Sequence, residues 1–307
     1  MKKLLTLSLL TAIMFTTAGN IFAQGGFRGW WNSLSPEWKK ILSAQELKGK
    51  DIEPNDEQLA RIVDITNVDC RGNKDITDLR ALAGLPQLES VDCSNTNIQS
   101  LKGIGRLTNL KYLDCSNNDN LGSLADLTEL PELLELNCSN TMVKDLTPLE
   151  NLKKLRKLDA HYCTVNKLAV VSKLPALEYL DVSQNQSLFS LTGLENHKQL
   201  ITLNCSETPV SDLAPLQGLK ALAYLNLSHT KVATLRPLQY VRTLREIDCS
   251  DTRITAQGLD FLYAHASLSM LRARNVDVTA DEINDFINSY KSRNGTNCDI
   301  IMTAKKK

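Results

Sequence analysis

The sequence is short of almost everything that chemistry needs. Histidine occurs four times, at His161, His197, His229 and His265, scattered along the chain. Glycine is only 14 of 307 residues, and no glycine-rich loop follows a strand-like segment, so a phosphate cradle is excluded. The eight cysteines contain no Cys-x-x-Cys pair, and no Ser-His-Asp or Cys-His set can be assembled. Aromatic residues are 5%, few for an enzyme core of this size. Net charge is zero, 35 basic against 35 acidic residues, so nothing marks a nucleic-acid binder. No catalytic residue, metal or cofactor is expected, and the chain reads as a non-enzyme. Disorder is excluded as well, because 42% of residues are apolar and only 23% are charged.

Long hydrophobic runs are absent except at the start. Met1-Lys2-Lys3 is a positive end, residues 4–15 are uncharged and mostly apolar, and a small, polar stretch runs to Ile21-Phe22-Ala23 before Gln24. That is the plan of a secretory signal peptide, too short for a membrane span. Cleavage is expected after Ala23. The first cysteine is Cys70, so no lipid-accepting thiol stands at the cleavage site. The expected product is exported, without stable membrane insertion.

What the sequence has is leucine and a period. Aligning the third apolar position of Leu-x-x-Leu-x-Cys gives Cys70, Cys93, Cys115, Cys138, Ala160, Val182, Cys205, Leu227, Cys249 and Ala273, at steps of 22 to 24 residues. One unit reads Leu85-Pro-Gln-Leu88-Glu-Ser-Val91-Asp-Cys93-Ser-Asn-Thr96-Asn-Ile98, and another reads Leu200-Ile-Thr-Leu203-Asn-Cys205-Ser-Glu-Thr208-Pro-Val210. A period this regular marks a solenoid. Units with Asn at the turn (Asn73, Asn118, Asn185) carry one extra residue before the next apolar position. Units with Thr there (Thr96, Thr141, Thr208, Thr230) do not. Asn can bond a wider turn from both ends of its amide, whereas Thr offers one hydroxyl to a tighter turn.

These units resemble the leucine-rich repeat family, of the 22-residue kind found in internalin-like bacterial surface proteins. The Asp-Cys-Ser-Asn wording at residues 92–95 and 114–117 also looks like secreted leucine-rich proteins of the Bacteroidetes group. The resemblance covers about ten units over residues 62–278. It implies an α/β solenoid: a right-handed superhelix with a parallel concave β-sheet and helical caps at both ends. It also implies recognition of a partner protein. Internalin-like proteins usually carry a wall-attachment region, and here the sequence runs to Lys305-Lys306-Lys307 soon after the last cap. A periplasmic or secreted protein is therefore expected rather than a displayed one.

The convex side should be extended or 3₁₀, because 22 residues leave no room for a full helix and Leu146-Thr-Pro-Leu149, Leu213-Ala-Pro-Leu216 and Leu235-Arg-Pro-Leu238 break helices. A Trp-containing helical cap is expected over residues 24–61, with helices starting at Ser35-Pro36 and near Asp56. A C-terminal cap and tail should fill residues 279–307, opened by a Thr279/Glu282 capping box and ending in a strand near Cys298. Gly25-Gly26-Phe27-Arg28-Gly29 reads as a flexible lead to Trp30 and Trp31, which either fold onto the cap or stand free as a contact site.

Strand alternation turns the aligned cysteines inward. Parallel Cβ vectors at sheet spacing hold them too far apart for disulfides, so free buried thiols are expected. Alternation also fixes three outward columns. The column at Asp69, Asp92 and Asp114 and the column at Ser94, Ser116 and Ser139 are nearly uniform, which suggests hydrogen-bonded ladders between coils or a cation-attracting trough. The third column varies: Asn67, Ser90, Tyr112, Glu135, Lys157, Tyr179, Thr202, Tyr224, Glu246, Met270. Varied side chains on a uniform scaffold are where specificity can be written. Tyr112, Lys157, His161, Tyr162, Tyr179, Tyr224 and His229 therefore form the candidate binding patch, since tyrosine buries much area and keeps a polar tip. A protein is the expected partner. A polysaccharide, stacked on tyrosine and bonded by the Ser and Asp columns, is the alternative.

Overall fold

Each coil contributes one short strand, and the strands stack in chain order. They are β1 (Asn67–Asp69), β2 (Ser90–Asp92), β3 (Tyr112–Asp114), β4 (Glu135–Asn137), β5 (Lys157–Asp159), β6 (Tyr179–Asp181), β7 (Thr202–Asn204), β8 (Tyr224–Asn226), β9 (Glu246–Asp248), β10 (Met270–Val276) and β11 (Asp299–Ala304). In this computed structural model, which describes residues 26–47, 53–195, 197–295 and 297–305, they form one 11-stranded parallel sheet. The expected signal peptide, residues 1–23, lies outside the described residues. The register pairs Asn67 with Ser90, Tyr112 with Glu135 and Lys157 with Tyr179, so the columns read from the repeat are the columns of the sheet.

The middle residue of each strand from β1 to β9 points inward and is at most 4% exposed, from Val68 to Ile247. The convex side is a run of 3₁₀ turns, with Pro148, Pro215 and Pro237 opening three of them at Thr147–Leu149, Ala214–Leu216 and Arg236–Tyr240. Proline suits the first turn, where its missing N–H has no partner to lose. Coils approach so closely that Gly193, at φ +111°, could not carry a Cβ without meeting the Leu168 carbonyl oxygen at 2.3 Å.

The turn position works as its chemistry suggests. Asn185 is fully buried; its Nδ2 donates to the Ala160, Val182 and Ser183 carbonyls and its Oδ1 accepts from the Val165 N–H. Asn118 donates likewise to Cys93, Cys115 and Ser116. In the shorter coils Thr96, Thr141, Thr208 and Thr230 each donate one hydroxyl to the carbonyl three residues back.

All eight cysteines are free and buried. The aligned thiols donate to a carbonyl of the next coil, Cys93 to Asp114 at 3.2 Å and Cys115 to Asn137 at 3.3 Å. Burial pushes Cys70 and Cys205 up to about 12. Cys298, which the repeat could not place, is buried within the last cap.

Both ends of the apolar stack are covered. At the front, helices α1 (Gly26–Ser33), α2 (Pro36–Glu46) and α3 (Asp56–Val63) bury Trp30, Trp31 and Trp38. The flexible lead expected at 25–29 is corrected here, because the chain is helical from Gly26. Tertiary contacts outweigh the helical cost of glycine: Trp30 Nε1 donates to the Ala81 carbonyl at 3.0 Å, and Trp31 Nε1 to Glu53 at 2.8 Å. Both indoles are core, not a free contact site. At the back, a short helix α4 (Ala256–Leu259) is followed by α5 (Ala280–Asn294), which starts at the Thr279/Glu282 capping box. Tyr290 of α5 donates to the His265 carbonyl at 2.6 Å, and β11 pairs with β10. Among the described residues, no helix is long and apolar enough to cross a membrane.

Candidate functional site

The uniform outward columns are largely occupied by their own backbone. In an ordinary coil the serine donates its hydroxyl to the Asp or Asn two residues earlier, at 2.6 Å for Ser94–Asp92 and 2.8 Å for Ser228–Asn226. The serine N–H bonds the same oxygen, as in Ser116 to Asp114 at 3.0 Å. Hydrogen-bonded ladders between coils were one of the two readings of these columns. Instead most bonds close within one coil, because a side chain two residues back reaches this N–H in the manner of an Asx turn. Coil-to-coil links occur where Asp meets Asn, at Asp114–Asn137 (2.9 Å) and Asp181–Asn204 (2.8 Å).

A further column was missed. The residue two after each aligned anchor from Cys93 on is left-handed: Asn95, Asn117, Asn140, Tyr162, Gln184, Glu207, His229, Asp251 and Asn275 all have φ between 49° and 59°. Each of the first eight donates its N–H to the next coil, as Tyr162 does to Ser183 at 2.9 Å. The recurrence of Asn one residue after Ser was the available signal, since Asn tolerates this region and most residues do not. Tyrosine there is strained, and strain of this kind gathers at working sites.

The structure sorts the seven candidate residues into groups. Lys157, His161, Tyr162 and Tyr179 lie together on the neighbouring rungs of β5 and β6, with Lys157 Nζ 5.4 Å from the Tyr179 ring centroid. Burial, then the Asp181 carboxylate, pushes the Tyr179 phenol up to about 12, so it stays a donor at neutral pH. Tyr112 and Tyr224, 42% and 41% exposed, stand two rungs to either side. His229 is apart from these. It sits 3.4 Å from Asp251 on a rim groove that Phe189, Glu207 and Lys231 also line. The other two histidines are structural: His197 and His265 are buried and place Nε2 against the Leu174 and Leu238 carbonyls.

The fifth coil departs from its neighbours at two positions. From the second coil to the ninth every other coil has serine after the aligned anchor and Thr or Asn two residues later, whereas the fifth reads Ala160-His161-Tyr162-Cys163. His161 Nδ1 replaces the serine hydroxyl against Asp159 at 2.7 Å. One nitrogen or oxygen of each of Asp159, His161 and Asp181 lies within 4.8 Å of the other two. Sequence reasoning read the four histidines as scattered and so overlooked the carboxylates on His161's own rung and the next. Cys163 takes the threonine position, its Sγ 3.4 Å from Thr141 Oγ1 and 3.2 Å from the Cys138 carbonyl oxygen. A hydrogen bond from the Cys138 thiol holds the Cys163 thiol below the usual range and raises Cys138 in turn.

Comparison with known proteins agrees with this architecture. Residues 86–131 match the family model described as Leucine Rich repeats (2 copies). An internalin, InlF of Listeria monocytogenes, superposes with a TM-score of 0.67 at 20% identity, over 87% of this chain and 90% of that one. The functional domain of InlJ from the same organism, which includes a cysteine ladder, gives 0.66 at 23% identity over 91% of this chain and 61% of that one. A plant peptide hormone receptor in complex with RGF2 gives 0.57 at 17% identity over 78% and 37%. No curated protein matches in sequence. The fold is thus a leucine-rich repeat solenoid of the internalin-like type.

Proposed function

We propose that this chain is an exported, non-enzymatic recognition protein that binds a partner protein across its concave face, with the fifth coil at the centre of the contact. The observation that carries the reading is that coil's departure from the repeat. From the second coil to the ninth the serine and the Thr-or-Asn turn are kept at every coil but this one, so His161 and Cys163, with Tyr162 between them, call for a cause outside packing. Around them stand Lys157, Tyr179, Tyr112 and Tyr224, residue types that carry binding energy at interfaces. The peptide hormone receptor among the structural neighbours supports polypeptide recognition as a use of this fold. Export rests on the leader sequence, and a periplasmic or secreted location follows from it.

The test is capture of partners from envelope and host-surface extracts by the native chain and by two variants. Replacing Tyr112 and Tyr179 with serine should abolish capture. Replacing Tyr240, 70% exposed on the convex side, should not. Equal capture by both variants would place the site elsewhere. Retention on purified polysaccharide, lost in Tyr179→Ala, would replace protein by carbohydrate as the ligand.

A further inference from the structure

The geometry points to a binding site for a divalent first-row transition-metal ion of the zinc class, held by Asp159, His161 and Asp181 at the centre of the concave face. The inference does not depend on what else that face recognises.

Three observations carry it. The first is convergence: the donor atoms of the three side chains already lie within 4.8 Å of one another. Ligands at zinc bond lengths of about 2.0–2.2 Å lie about 3.4 Å apart, a closure that rotation of the Asp159 and His161 side chains supplies. The second is support around the ligands. Ser183 donates its N–H at 2.9 Å and its hydroxyl at 2.6 Å to Asp181 Oδ1, and Asn204 donates to Oδ2 at 2.8 Å. Tyr179 Oη adds a long contact to Oδ2 at 3.5 Å. An ion would displace this contact, the weakest of the four, while the other three hold the carboxylate in place, as outer partners do at metal sites. Asp159 Oδ1 and His161 Nδ1 already face each other at 2.7 Å, and the ion would take the place of the proton they share.

The third observation is how the sheet treats neighbouring carboxylates elsewhere. Asp69 and Asp92 share Arg71, at 2.6 and 3.6 Å. Asp114 and Asn137 bond directly, as do Asp181 and Asn204. At the Asp159–Asp181 pair the residue placed between the rungs is an imidazole, the one nitrogen ligand in an otherwise hydroxyl column flanked by arginines. Two carboxylates with an imidazole select zinc, nickel or copper. Calcium and magnesium favour sites built from oxygen alone. Three protein ligands leave a position open for water or for a group brought by a partner.

The repeat supplies the test. His161→Ser and Asp181→Asn each install the residue that other rungs carry at that position, so the fold is retained while a ligand is lost; unchanged far-ultraviolet circular dichroism verifies this. The full chain, dialysed against chelator, is titrated with cobalt(II) chloride followed by visible absorption, then with zinc chloride by calorimetry. The native chain should bind one equivalent of cobalt with d–d absorption that zinc displaces and calcium does not. Each variant should weaken binding at least about tenfold, since loss of even an outer hydrogen-bond partner weakens metal sites by about 10–100-fold. His229→Asn should bind like the native chain. Absence of stoichiometric binding to the native chain, or undiminished binding by His161→Ser, overturns the site.

Discussion

Replacing Asn185 with alanine should remove about 3–5 kcal/mol of stability, although the residue touches no solvent and no ligand. Its amide closes four backbone bonds, two within the sixth coil and two to the fifth. One of the three acceptors, the Ser183 carbonyl, keeps the Tyr162 N–H as a second partner at 2.9 Å. The Val165 N–H and the Ala160 and Val182 carbonyls lose this bond at fully buried positions. Each such orphan costs about 1–3 kcal/mol, and partial relaxation keeps the total toward the lower part of the sum. Asn185→Thr installs the residue of the shorter coils. A hydroxyl there reaches only the carbonyl three residues back, Val182, so this variant should lose about 2–4 kcal/mol. Urea unfolding followed by circular dichroism measures the shifts. Hydrogen exchange at the Val165 amide supplies a local reading, because long repeat arrays need not unfold as one unit. If Asn185→Thr matches the native chain in both stability and Val165 protection, the wide turn does not need its asparagine and the reasoning fails.

Three more outcomes follow from single groups. Gly193→Ala should destabilise by about 2 kcal/mol or more in the same urea assay, because its Cβ would overlap the Leu168 carbonyl at a positive φ; an unchanged midpoint would contradict the coil spacing. Burial holds the His265 pKa below 6.5, so the unfolded chain binds that proton more readily than the folded one. Stability at this site should be lost as pH falls from about 6.5 downward. His265→Leu, which restores the leucine of that column, should flatten the dependence of the urea midpoint between about pH 7 and pH 5, and an unaltered slope would refute it. A thiol reagent applied to the folded chain near neutral pH should modify Cys163 and spare Cys93 and Cys115, because only the first has its thiol held below the usual range; mass spectrometry of the peptides decides.

The fold was legible because a solenoid repeats its reasons. Ten aligned apolar anchors fixed the period, and alternation in strands such as Val91-Asp92-Cys93 fixed the face of every column; the pairing of Tyr112 with Glu135 follows from those two facts alone. The caps were legible from Ser35-Pro36 and from the Thr279/Glu282 box. Helix α1 was not, because Gly26 and Gly29 argue locally against a helix that Trp30 and Trp31 secure through distant partners. The candidate site was half legible. Lys157, His161 and Tyr179 were picked out as members of the candidate patch. Their joining with Asp159 and Asp181 went unseen because those two look like every other rung. What singles them out is the imidazole beside them, a relation between coils that one unit read alone does not contain.

The central claim is that the fifth coil serves something other than the fold. It is tested most directly by writing that coil back into the repeat with Ala160→Cys, His161→Ser, Tyr162→Asn and Cys163→Thr together. The account predicts an unchanged circular dichroism spectrum and a urea midpoint equal to or above that of the native chain, since strain at Tyr162 is relieved. It predicts that partner capture disappears in the same sample. A folded variant that still captures the partner, or one that fails to fold, would contradict it.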